Sequence, residues 1–181
     1  MPTEQQPGSF ARPFSSLQQV ALIALRTLVG WHFLYEGIYK FRLPGWSPEG
    51  KPMPAWSSLG FVKGVANGPM GDLAQSMANA GLLPIVDKLL MYGIALVGVS
   101  LILGLLTRVG CIGGIFLLCL FYVLNIPVSG MHQSGAEGAY LLVNKTLIEA
   151  VAVLALLAFD TGRIAGLDRF WHDRRRAAQG N

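Results

Sequence analysis

The chain has 181 residues, of which 52% are hydrophobic and only 13% charged; its formal charge is +4 and its mean hydropathy +0.48. That balance excludes an ordinary soluble domain. Much of the positive charge crowds into Arg163, Arg169, Arg174, Arg175 and Arg176, a juxtamembrane pattern, and no nucleic-acid motif accompanies it.

The apolar runs are each near 20 residues, so helices are the natural spanning elements, and the short alternating segments of a barrel are not seen. The fold expected is an all-α integral membrane protein: a four-helix transmembrane bundle with a short amphipathic helix in its first outer loop. Residues 1–17 form a polar tail punctuated by Pro2, Pro7 and Pro13, without the clustered positive charge of a signal peptide. The first span, 18–41, then stays attached as an anchor.

That span carries Arg26, His32, Glu36 and Lys40. Ionisable groups inside a bilayer are tolerated mainly where they face protein or a wet cavity. At about 100° per residue, Arg26, Phe33, Glu36, Gly37 and Lys40 share one arc, with His32 and Gly30 at its margins. The face bearing Leu22, Leu25, Val29 and Leu34 is expected to meet lipid.

Residues 42–81 hold five of the ten prolines together with Trp46, Trp56 and Phe61, which predicts a long turn-rich loop at the membrane interface. Within it, 69–80 reads as an amphipathic helix, with Met70, Leu73 and Met77 on one side and Asp72, Gln75 and Asn79 towards water. The second span is expected over 82–106 and the third over 109–126. Thr107 and Arg108 between them force an antiparallel hairpin. Ser100 and Gly104, and Gly110 and Gly114, offer flat patches where backbones can approach. Cys111 and Cys119 are about 12 Å apart along one helix, too far for a bridge, and neither has metal-ligand spacing. They read as small buried apolar residues. Pro127 ends the third span, and a short loop holds His132 and Glu137. The fourth span, 140–159, has Asn144, Lys145 and Glu149 in its first half. Residues 169–181 form a basic cytoplasmic tail with Phe170 and Trp171 as interfacial anchors.

The arginine-rich tail and Arg108 place both termini in the cytoplasm, against Arg42, Lys51 and Lys63 in the first loop. Spans one and four are then antiparallel, and depths can be compared at about 1.5 Å per residue. Glu36 and Lys145 come out level, and so do His32 and Glu149 beneath them. The expected cluster opens outward, with Lys40 and Asn144 at its mouth and Tyr35, Tyr39 and Trp31 near by. Arg26 lies deeper, facing an inner-leaflet carbonyl, a lipid head group or a partner. Candidate catalytic residues are therefore His32, Glu36 and Glu149. Candidate substrate-binding residues are Arg26, Tyr35, Lys40, Asn144 and Lys145, and no metal site is expected. The same charges could instead hold helices together, a reading that stays open.

Arg26, Gly30, Phe33, Gly37 and Lys40 in span one, the glycine-rich hairpin around Gly104 and Arg108, and Asn144-Lys145 with Glu149 in span four resemble the DoxX/DoxD family of small bacterial membrane proteins. The likeness covers most of 18–168. The long first loop and Glu137-Gly138 before Tyr140-Leu141 resemble the DoxD-like branch associated with thiosulfate:quinone oxidoreductase. The resemblance implies a multi-pass subunit of the bacterial inner membrane linked to quinone reduction or a redox complex. Three classes stay open: a redox subunit with a quinone or small-anion site and a protein partner or second copy of itself, a non-catalytic anchor or assembly factor, and a small-solute carrier. No covalently bound cofactor is expected, because haem, flavin and iron–sulfur signatures are missing from the sequence.

Overall fold

The computed structural model describes residues 14–41, 56–59, 71–124, 139–140, 142–170 and 174. It is mostly helical. In chain order the elements are α1 (Ser16–Lys40), α2 (Gly71–Asn79), α3 (Leu83–Leu103), α4 (Thr107–Leu124), a two-residue strand pair β1 (Ala139–Tyr140) and β2 (Val143–Asn144), α5 (Lys145–Ala158) and the single turn α6 (Thr161–Ile164). His132, Glu137, Trp46, Phe61 and Trp171 lie outside the described residues.

Helix α1 begins at a reciprocal cap: the Gln18 N–H donates to Ser15 Oγ, and the Ser15 N–H donates to Gln18 Oε1. Such a box satisfies two of the amides that a helix start leaves open. Helix α3 has a proline in its first turn and ends at Gly104, whose φ of 61° is the left-handed cap a glycine takes without a Cβ penalty. The connection to α4 is thus Gly104 to Leu106, and Thr107 and Arg108 are already helical rather than the linker expected. Helix α2 falls inside the predicted amphipathic stretch.

The largest revision concerns the fourth span. Residues 139–140 and 143–144 form an antiparallel strand pair, with Ala139 opposite Asn144 and Tyr140 opposite Val143, and the helix starts only at Lys145. Asn144 Oδ1 accepts from the Leu147 N–H at 2.9 Å and so caps α5. Tyr122 on α4 donates its hydroxyl to the Leu142 carbonyl at 2.8 Å, tying this turn to the helix beside it. Fourteen residues make α5 roughly 21 Å long.

The four long helices pack in ring order. Helix α1 lies along α3, α3 turns back as α4, α4 lies along α5, and α5 meets α1 over the slightest seam. Their common core is Val29, Phe33, Ile94, Val97, Leu101, Cys111, Leu117, Leu118, Val153 and Leu156. Cys111 is buried as expected, whereas Cys119 is exposed. Val29 and the partly buried Leu25 pack inward, which corrects the expected lipid face. At 100° per residue Val29 falls in the same sector as Arg26 and Phe33. The outward sector of α1 is instead Leu17, Val20, Leu28, Trp31 and Tyr35, all exposed. Exposed apolar side chains also run along α3 at Ile85, Leu89, Tyr92, Leu96 and Val99, and along α4 at Val109, Ile112 and Phe116. On α5 they are Ile148, Val151 and Leu154. Two helices, α1 and α3, are long and apolar enough to cross a membrane, and a shorter apolar helix runs from Thr107 to Val123.

The α1–α3 contact brings main chains together. A Cβ on Gly37 would stand 2.8 Å from Ala95 Cα, and one on Gly98 would stand 2.7 Å from Leu34 Cα. Gly110 likewise makes room for the Ser100 side chain, where the flat patches were expected.

At the opposite end of the bundle from Lys40, the chain after α5 folds back as a clasp. Arg26, 3% exposed, donates through Nη1 to the carbonyls of Thr161 at 2.9 Å and Ala165 at 2.5 Å. Asp168 accepts from the Leu106 and Thr107 N–H groups at 2.7 and 2.8 Å, capping α4 from a distant part of the chain. Burial pushes this carboxyl up, but the amides of Thr107 and Leu106 and the Arg26 charge outweigh it and hold it below its ordinary value of 3.8. A carboxyl lowered by folding contributes stability above its unfolded value, and that stability is lost as the pH falls through the folded value. Asp168→Asn is therefore expected to melt below the wild type at pH 7, with the gap closing as the pH is taken below 3.8. Melting curves in detergent check this, and a gap independent of pH would remove the charge from the account.

Candidate functional site

At the far end of the bundle, side chains from all four long helices and from residues 56–58 enclose a cavity of about 570 Å³. Pockets of a few hundred to about 1,000 Å³ are the size that takes a small-molecule ligand. Its apolar wall comes from Phe33 on α1, Leu90 and Ile94 on α3, and Leu118 and Phe121 on α4. Its polar wall is His32, Glu36 and Lys40 on α1 with Lys145, Thr146 and Glu149 on α5.

Two close pairs organise the polar wall. His32 Nδ1 stands 2.6 Å from Glu149 Oε1, joining α1 to α5 across the slight seam. The His32 side chain is 50% exposed and that of Glu149 only 15%. With Glu149 ionised, the Nδ1–H is the donor, and Nε2 is then an acceptor on the neutral ring or a second donor on the imidazolium. The equal depths predicted for these two residues are thus matched by contact. The pairing expected one turn higher is not formed. Glu36 Oε2 instead meets Lys40 Nζ at 2.5 Å, four residues on in the same helix, while the exposed Lys145 lines the same cavity. A same-helix partner at that spacing needs no tertiary arrangement to reach its mate.

The first loop contributes what the sequence did not reveal. Trp56 lies with its ring centroid 5.3 Å from Lys40 Nζ, a cation–π contact over the mouth. Ser58 is tethered to α3 by its N–H, which donates to Asp87 Oδ1 at 2.8 Å. The Ser58 hydroxyl oxygen is buried with no hydrogen-bond partner among the described residues, and the residue lines the cavity. A tryptophan in a proline-rich stretch carries no spacing signal that would have placed it here.

His32, Glu36, Lys40, Lys145 and Glu149 therefore converge, and three other candidates do not. Arg26 is spent on the Thr161 and Ala165 carbonyls at the other end, which corrects its assignment to substrate binding. Asn144 serves as the α5 cap rather than as a lining group. Tyr35 is exposed and stacks on Tyr39 at 6.3 Å, so the aromatic wall is Phe33, Phe121 and Trp56 instead of tyrosine. The reason is rotational: Tyr35 sits opposite the sector that holds Phe33. Among the described residues no group of three metal-ligating side chains forms.

Chemically, the arrangement pairs an imidazole with a carboxylate beside an apolar chamber. A histidine titrates near neutral pH in water and can pass a proton between a ligand and its carboxylate partner. Lys40 is neutralised by Glu36, and Lys145 adds positive charge at the same end of the bundle. No protein-family model, curated protein or solved structure matches the chain.

Proposed function

We propose that this chain is a DoxX/DoxD-like integral membrane subunit of a quinone-linked redox complex. In this reading it crosses the bacterial inner membrane four times with both termini in the cytoplasm. The cavity receives the head group of a quinone, and His32 with Glu149 exchanges its protons. The membrane part is supported by the apolar outer faces of α1, α3, α4 and α5, since soluble monomers rarely expose contiguous patches of that kind. The site part is carried by one observation: a His–Glu pair at 2.6 Å bordering a largely apolar chamber of ring-accommodating size. Electrons would pass to or from a partner subunit, and this chain would supply binding, orientation and proton transfer.

The test is quinone reduction by membranes carrying the protein with the products of its neighbouring genes, set against the same membranes with Glu149→Gln. General acid–base groups contribute typically about 100-fold or more, so a drop of that order is expected in a variant that still inserts. Undiminished turnover would favour the anchor, in which the same residues hold a partner.

A further inference from the structure

Beside the clasp that closes the other end of the bundle, two guanidinium groups converge on one carboxylate. Arg108 donates to Asp160 through Nε at 3.2 Å and Nη2 at 2.8 Å, and Arg163 Nε lies 2.7 Å from the same Asp160 Oδ2. Two cations against one anion leave the triad with a net positive charge. A guanidinium has five N–H donors, so both arginines keep N–H groups with no acceptor among the described residues. Their side chains are 62% and 53% exposed, while that of Asp160 is 24% exposed.

The triad is held in place from below. Asp160 precedes α6 in a left-handed conformation with φ of 46°; Arg26 holds the Thr161 carbonyl that follows it, and Asp168 holds the Leu106 and Thr107 amides that precede Arg108. Both arginines are thus presented from fixed backbone.

The neighbourhood on α4 is as telling as the charge. Ile112 and Phe116 follow Arg108 at four-residue steps, the spacing that stacks side chains on one helix face, and both are exposed. A cationic head above an apolar stripe matches a molecule with an anionic head and a hydrocarbon tail.

We propose that Arg108 and Arg163 bind the phosphate of one anionic phospholipid whose acyl chain lies along Ile112 and Phe116. Guanidinium groups suit phosphate because their forked donors match its oxygens. Asp160 sets the spacing of the two arginines, and the apolar stripe supplies the selectivity for a lipid over a free phosphate. The inference rests on the helices crossing a bilayer and not on the chemistry of the cavity.

The experiment uses the full chain purified in a zwitterionic detergent. Native mass spectrometry and melting are followed on addition of dioleoyl phosphatidylglycerol, dioleoyl phosphatidylcholine or inorganic phosphate. The expected result is one retained phosphatidylglycerol and a higher melting temperature with that lipid only. Arg108→Gln with Arg163→Gln should weaken its retention on the order of tenfold and leave phosphatidylcholine unaffected. Arg163→Gln alone, at an exposed position, gives the same reading in part if the double variant does not fold. Asp160→Asn keeps both arginines and one acceptor oxygen between them while removing the competing anion, and should retain the lipid. Equal retention of the two lipids, equal retention by wild type and arginine variants, or a matching shift with inorganic phosphate would each overturn the proposal. Recovery of the chain without detergent would instead remove the bilayer on which it rests.

Discussion

Arg26→Ala is expected to cost about 3–5 kcal/mol and to free the chain beyond α5 from the bundle, because it removes two hydrogen bonds from a charged donor, each worth about 1.5–3 kcal/mol. Nη1 of Arg26 is the donor to two carbonyls on successive turns, Thr161 and Ala165, and the residue is 3% exposed. Its loss leaves a void the size of the side chain and two acceptors without their donor. It also removes a positive charge that favours the ionised Asp168, which caps α4. The effect should therefore reach α4 as well as the tail. Arg26→Lys keeps the charge but not the planar fork, and should recover only part of the loss. Melting in detergent measures the cost, and limited proteolysis reads the release of the tail. A variant that melts within 1 kcal/mol of the wild type with its tail protected would show that the carbonyls hold the clasp without the guanidinium.

Gly98→Leu is the second change with a large expected effect, about 3 kcal/mol or more, because over-packing at a backbone contact cannot be relieved by a rotamer change. A Cβ at this position would meet the Leu34 backbone nitrogen, Leu34 Cα at 2.7 Å and the Gly30 carbonyl oxygen at 2.8 Å, and none of these is the free end of a side chain. Helices α1 and α3 would have to separate along their length. The separation would move Phe33 on α1 and Ile94 on α3, which both line the cavity, and so distort its wall. Gly93, which has open space around its missing Cβ, is the control: Gly93→Leu should leave the α1–α3 contact in place. Similar melting for the two leucine variants would refute the close approach.

Periodicity made the inward arc of α1 readable, since Arg26, Gly30, Phe33 and Gly37 all turn out buried. Depth counting paired His32 with Glu149 from the sequence, because two antiparallel helices bring equal depths together. The same counting failed for Glu36, where the local Lys40 competes with the tertiary Lys145 and has the shorter path. Asn144 misled for a related reason. A polar residue at the head of an apolar run reads equally as a group inside a span and as the cap before a helix, and here it is the cap. Trp56, Ser58 and the remote capping of α4 by Asp168 had no pattern at all, since each joins segments far apart in the chain.

The ring of helices is unevenly stitched. Helices α1 and α3 are close along most of their length, α4 and α5 form the second well-packed pair, and α1 touches α5 only slightly. His32 belongs to one pair and Glu149 to the other. Their hydrogen bond thus spans the lightest seam of the ring, and a tilt that left both pairs intact would change its length. The carboxylate stretching frequency of Glu149 would report any such change directly.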